Sequence, residues 1–131
     1  MQVEQQIQSA IEAHAEWKIR LNKAIETGRS DHTAAVVCQD NQCKLGRWLY
    51  GLDVATQASS RWTCVRSTHA DFHREAAEIL TIALHGDKRG AKSRMTYSST
   101  FTGLSNRLTA ELTAWKRESV GRLTAVPTAT A

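Results

Sequence analysis

A chain of 131 residues with one Pro, seven Gly and 41% hydrophobic residues suits a single globular domain with a real core, and it argues against all-β, collagen-like and disordered classes. The net charge is +4, but Lys and Arg are interleaved with Glu and Asp, and no long block of like charges marks a nucleic-acid surface. No apolar run approaches a membrane span, and the first residues, Met1 to Gln6, lack the basic start and apolar run of a signal peptide, so the expected location is cytoplasmic.

From Val3 to about Thr27, Ile7, Ala10, Ile11, Trp17, Leu21, Ala24 and Ile25 recur at helical spacing, and Gly28 is a natural stop. His14 falls midway between Ile7 and Leu21 and so lies on the buried stripe, with Trp17 one turn on. Taken alone, a core Trp beside a half-buried His explains this pair. Residues Arg29 to Asn41 read as irregular, and Ala34 to Val37 fit either a helical turn or an ordered loop. Asp40 or Asn41 can cap a short helix carrying Cys43, Leu45, Gly46, Trp48 and Leu49 and ending near Gly51. Cys43 then lies in the first turn, where free N–H groups, with Lys44 and Arg47 nearby, favour a thiolate. Gly46 inside a helix costs about 1 kcal/mol against Ala, which points to close approach of another group. The plain alternative is that Cys43 is a small core residue.

Asp53 to Arg61 reads as a polar connection, with Thr56 or Ser59 able to cap the next helix. In that helix Trp62, Val65, His69, Phe72, Ala76, Ile79 and Ala83 follow steps of three and four as far as Leu84. His69 interrupts the apolar seam, and His73 points the same way one turn later. Two core histidines with backbone or carboxylate partners account for them; a metal is the sharper alternative. His85 and Gly86 read as the helix end, His32 as a loop residue, and Cys64 as a buried or half-buried thiol facing away from His69. Asp87 to Gly90 reads as a tight turn. The last helix is predicted from about Ala91 to Val120 or beyond, with Tyr97, Phe101, Leu104, Leu108, Leu112 and Trp115 as its stripe. Residues 1–123 are expected to form one domain, and residues 124–131 a disordered tail.

The predicted fold is all-α, an antiparallel four-helix bundle of three long helices and a short helix carrying Cys43, with room for an extra helical turn. Inward residues of neighbouring helices can meet at one level in such a bundle. His14, Cys43, His69 and His73 then offer three imidazoles and one thiolate, a sensible tetrahedral set for Zn²⁺. Trp17, Gly46 and Trp48 are expected around the metal, while Trp62 and Trp115 read as plain core. The odd count of three Cys needs no disulfide in a reducing compartment.

These residues resemble the chemoreceptor zinc-binding (CZB) domains of bacterial signalling proteins. The family pattern is His-x-x-Trp, then Cys-x-(Leu/Phe)-Gly-x-Trp, then Leu-x-x-x-His-x-x-x-His. Here it stands as His14-Ala-Glu-Trp17, Cys43-Lys-Leu-Gly-Arg-Trp48 and Val65-Arg-Ser-Thr-His69-Ala-Asp-Phe-His73, with Val65 where the family usually has Leu. The resemblance covers about residues 7 to 85, and its middle motif is the specific part. It implies a regulatory zinc site made of His14, Cys43, His69 and His73. It also implies sensing of zinc or of oxidants such as hypochlorous acid, homodimers, and a signalling partner or fused output in chemotaxis or cyclic-di-GMP signalling. The chain contains no methyl-accepting coiled coil and no cyclase domain, and its Met1 start suits a stand-alone protein or the front end of a longer one. A structural zinc staple in an interaction domain uses the same ligands. An enzyme is not expected, because a catalytic zinc keeps an open position and four protein ligands close it.

Overall fold

A computed structural model describes residues 3–129, with side chains described through Val120. The described residues form seven helices and no strand: α1 (Val3–Thr27), α2 (Ala34–Val37), α3 (Lys44–Tyr50), α4 (Val54–Gln57), α5 (Ser60–Leu84), α6 (Lys88–Ser93) and α7 (Thr100–Ala129). Their bounds have local causes. Gly28 and Gly86 take φ of 71° and 84°, the left-handed conformation that ends α1 and α5 and that glycine adopts without strain. The Ser59 hydroxyl accepts from the Trp62 N–H at 3.2 Å and so starts α5.

Two apolar clusters fix the topology. One joins Leu21, Ala24 and Ile25, late in α1, to Ile79, Leu80 and Ala83, late in α5, and to Phe101, early in α7. The other joins Ile7 and Ala10, early in α1, to Val65, early in α5, and to Leu112 and Trp115, further along α7. Helices α1 and α5 are therefore parallel, and α7 runs against both. The chain returns from the end of α1 to the start of α5 through α2 and α3, so the succession is up, down, up, down. This is the antiparallel four-helix bundle that the sequence predicts, its second member short and broken. Trp62 Nε1–H donates to the Leu49 carbonyl at 2.9 Å and ties the end of α3 to α5. Trp62 is thus half-buried with a polar tether, whereas Trp115 is plain core at 4% exposure.

One open alternative is resolved and three local expectations change. Ala34–Val37 is a helical turn, capped by the Thr33 hydroxyl. The connection after Asp53 holds the one-turn helix α4, because the Asp53 carboxylate accepts from the Thr56 N–H at 2.9 Å. Asp87 caps α6 by accepting from the Gly90 N–H at 2.9 Å, so the predicted tight turn is the first turn of a helix. The last long helix begins at Thr100 rather than near Ala91. There the Ser99 hydroxyl accepts from the Thr102 N–H and donates to the Thr96 carbonyl. Such hydroxyl bonds compete with helix continuation. Tyr97, expected on the apolar stripe, lies in the break and is 93% exposed. The tail expected at residues 124–131 lies outside the fully described residues. Among the described residues no helix is long and apolar enough to cross a membrane.

Candidate metal centre

The three histidines occupy the level between the two clusters. On α1, His14 follows Ala10 of one cluster and precedes Trp17 of the other; on α5, His69 and His73 bracket Phe72 in the same zone. The helical stripes that build the core therefore also deliver imidazoles into it. All three are buried, His69 completely. Ring centroids are 4.5 Å apart for His69 and His73, 5.4 Å for His14 and His69, and 5.8 Å for His14 and His73. One nitrogen from each ring lies within 4.8 Å of the other two.

Each of the three rings also holds a buried nitrogen without a hydrogen-bond partner. His73 Nδ1 is 2.8 Å from the Val37 carbonyl, which can only accept. That nitrogen therefore carries the proton, and Nε2 presents a bare lone pair. His14 Nε2, His69 Nδ1 and His73 Nε2 are all buried without a hydrogen-bond partner. Leaving a buried polar atom unsatisfied costs about 1–3 kcal/mol. Three such atoms at one level are poor design for an apolar core and good design for binding a cation. Burial lowers the pKa of His14 to about 3, with repulsion from His73 adding to it. Burial lowers that of His69 to about 2, with His73 and His14 contributing. His73 is lowered by burial as well, against the opposing pull of Val37 and Asp40. The rings are thus neutral, the form in which imidazole donates to a metal.

Cys43 reaches this level from the start of α3, which packs against both α1 and α5. It is the N-cap of α3, and its Sγ accepts from the Gly46 N–H at 3.3 Å. The same Sγ lies 3.1 Å from His69 Nε2. The expected thiolate-favouring effect is present in the backbone N–H groups of Gly46 and Leu45, but burial outweighs it and pushes the thiol pKa up. Among these neutral groups a bound cation would reverse that balance. Gly46 has the close neighbour that its composition demands. A Cβ there would stand 1.8 Å from the Asp40 carbonyl oxygen and 2.9 Å from the Asn41 Cα. The backbone that leads into Cys43 is packed directly on α3.

The remaining expected residues divide. Trp17 meets the His73 ring edge-on at 5.3 Å. Trp48 packs on Trp115 at 5.1 Å and donates to Gln6 Oε1 at 2.7 Å, within the cluster at the opposite end from Trp17. Cys64 is exposed, not buried, because its face of α5 is left uncovered; Cys38 is exposed too. His32 is an exposed loop residue, and His85 caps α5, its Nδ1 2.7 Å from the Thr81 carbonyl. Asp71 is partly exposed and pairs with Arg74. Sequence reasoning did not find the Val37 carbonyl, since a backbone acceptor leaves no signal in residue type. Nor did it find Phe72 as a wall of the site, its ring 4.0 Å from that of His14.

No curated protein and no solved structure matches the chain. The family model for the chemoreceptor zinc-binding domain matches residues 14–80, just over half of the chain, and that span opens on His14 and includes Cys43, His69 and His73. With a helical bundle that brings these residues to one level, the chain belongs to the chemoreceptor zinc-binding domain family.

Proposed function

We propose that this chain is a regulatory zinc-binding domain of bacterial signalling, with His14, Cys43, His69 and His73 as the four ligands of one Zn²⁺. The observation that supports the reading is the convergence of three buried imidazoles, one nitrogen of each within 4.8 Å of the other two, with Cys43 Sγ 3.1 Å from His69 Nε2. Imidazole and thiol donors suit zinc over the hard cations magnesium and calcium. The ion would supply the positive charge that burial denies these groups and would hold Cys43 as a thiolate. The chain supplies the rest. Helices α1 and α5 present the imidazoles, the Val37 carbonyl fixes the His73 tautomer, and the small Gly46 seats the segment that brings Cys43 in. Four protein ligands leave no position for a reacting water, which favours a non-enzymatic role.

Helices α1 and α5 are long and buried along one face, while Cys38, Gln39, Asn41 and Gln42 ahead of Cys43 are exposed. The α2–α3 segment is therefore the part that yields first when zinc leaves. Hypochlorous acid would convert the Cys43 thiolate to a sulfenic acid with release of chloride, removing a ligand and moving the same segment. A homodimer mate, a partner protein or a fused output domain reads that movement, in a cytoplasmic setting such as chemotaxis or cyclic-di-GMP signalling.

The second reading, a purely structural zinc staple, uses the same donors, and one experiment separates the two. Zinc-loaded protein is treated with hypochlorous acid in the presence of a chromogenic zinc reporter. The sensor reading expects zinc release from the wild type, with weaker zinc binding and no oxidant-dependent release in Cys43→Ser. Retention of zinc by the oxidised wild type supports the staple. Unchanged zinc affinity in Cys43→Ser removes Cys43 from the site.

A further inference from the structure

Beside the metal centre, a cleft of about 620 Å³ opens between α1 and the α2–α3 segment. Its size lies within the roughly 300–1,000 Å³ of small-molecule sites. His14, His73 and Cys43 form its inner end, where His14, 8% exposed, holds its unpartnered Nε2. Around the opening stand Arg20, Lys44 and Arg47, and no carboxylate lines the cleft. Two of these cations are oriented by neutral partners that do not cancel their charge. The Arg20 guanidinium lies 5.0 Å from the centre of the Trp17 ring, and Lys44 Nζ donates to the Ser9 hydroxyl at 2.8 Å. Arg20 also meets Glu16 at 3.5 Å, but both are exposed and such a pair is weak in water. Asp40, the carboxylate whose charge acts on Cys43 and His73, accepts from the Tyr50 hydroxyl at 2.6 Å and lies outside the lining.

A cleft with three cations and no anion of its own attracts a negatively charged ligand, and guanidinium groups bind carboxylate and phosphate oxygens through paired N–H donors. We propose that the cleft binds a small oxyanion of the phosphate or carboxylate class beside the metal centre, with Arg20, Lys44 and Arg47 as its cationic contacts. The inference goes beyond the zinc reading, which gives Arg20, Lys44 and Arg47 no role. An anion held there lies next to His14, His73 and Cys43, where it can alter metal exchange.

The test is a titration of the full chain as purified, its metal content measured on the same sample, with inorganic phosphate and, separately, with succinate at constant ionic strength. Binding is followed through the Trp17 indole and the Arg20 and Arg47 side-chain signals by nuclear magnetic resonance. The expected result is a saturable shift of these signals with at least one probe, and the tighter probe identifies which oxyanion class the cleft prefers. The double variant R20Q/R47Q, altered at two exposed positions, should keep its helical spectrum and bind about tenfold more weakly or worse. A linear drift without saturation for both probes, or undiminished affinity in the double variant, overturns the proposal. The two readouts are independent: zinc content can fail while anion binding holds, and the reverse.

Discussion

Replacing Gly46 with Ala tests whether close backbone packing positions Cys43. The added Cβ would meet the Asp40 carbonyl oxygen at 1.8 Å, whereas real Cβ contacts keep at least 3.0 Å, so the Asp40–Asn41 backbone must retreat by about 1.2 Å. The obstacle is main chain and cannot rotate aside. Overpacking of this kind costs about 1–3 kcal/mol, and a backbone obstacle belongs at the upper end. The better helix propensity of Ala returns about 1 kcal/mol. The expected net loss is about 2 kcal/mol. Zinc affinity should fall as well, because the displaced segment leads into Cys43, whose Sγ is held by the Gly46 N–H. Gly103 supplies the control: it lies inside α7, and a Cβ there meets nothing within 4 Å. Gly103→Ala should therefore stabilise the protein by up to about 1 kcal/mol. Urea denaturation of both variants with and without zinc, and a zinc competition titration, measure these effects. A Gly46→Ala protein as stable as the wild type, with the same zinc affinity, would refute the reasoning.

Acid should weaken the metal-free fold before it protonates the site. The pKa of His14 is pushed down to about 3 and that of His69 to about 2, from an ordinary 6.5. Below pH 6.5 the unfolded chain takes up protons that the folded chain refuses, so stability present above that pH is lost as pH falls toward the folded-state values. Each imidazole contributes about 2 kcal/mol of that loss at pH 5. Urea denaturation of metal-free protein at pH 7 and pH 5 checks this, and equal stability would contradict it. Ser59→Ala removes the hydroxyl that accepts from the Trp62 N–H and should cost about 1 kcal/mol in thermal or urea unfolding. Because Ser59 lies ten residues before His69, its loss should leave zinc affinity nearly unchanged.

The imidazoles were legible because α1 and α5 are long, and a long apolar stripe fixes which face is buried. His14 and His69 fall on those stripes, and both are inside. Gly46 was legible as an anomaly, but its neighbour was not, since the Asp40 carbonyl is a backbone group brought there by a loop. The break between α6 and α7 was hidden because Tyr97 fits the helical stripe as well as any core residue. What decides there is a local competition in which Ser99 and Thr96 satisfy the backbone in another way. Cys64 was misplaced for a different reason. Spacing shows that it faces away from His69, but only the packing of other helices determines whether that face is covered. The thiol chemistry of Cys43 follows the same pattern: Cys43 is itself the N-cap, in place of the expected Asp40 or Asn41, and the depth of burial, a tertiary property, reverses the net effect on its pKa.

The most direct measurement is elemental analysis of protein purified without added metal, for the wild type and for His69→Leu, with a circular dichroism spectrum of each. The metal-centre reading predicts zinc equimolar with the wild-type chain and strongly reduced zinc in the variant, both proteins remaining helical. A helical wild type without zinc or any other metal would contradict it, and His14, His69 and His73 would then be core side chains whose unpaired nitrogens serve no ion.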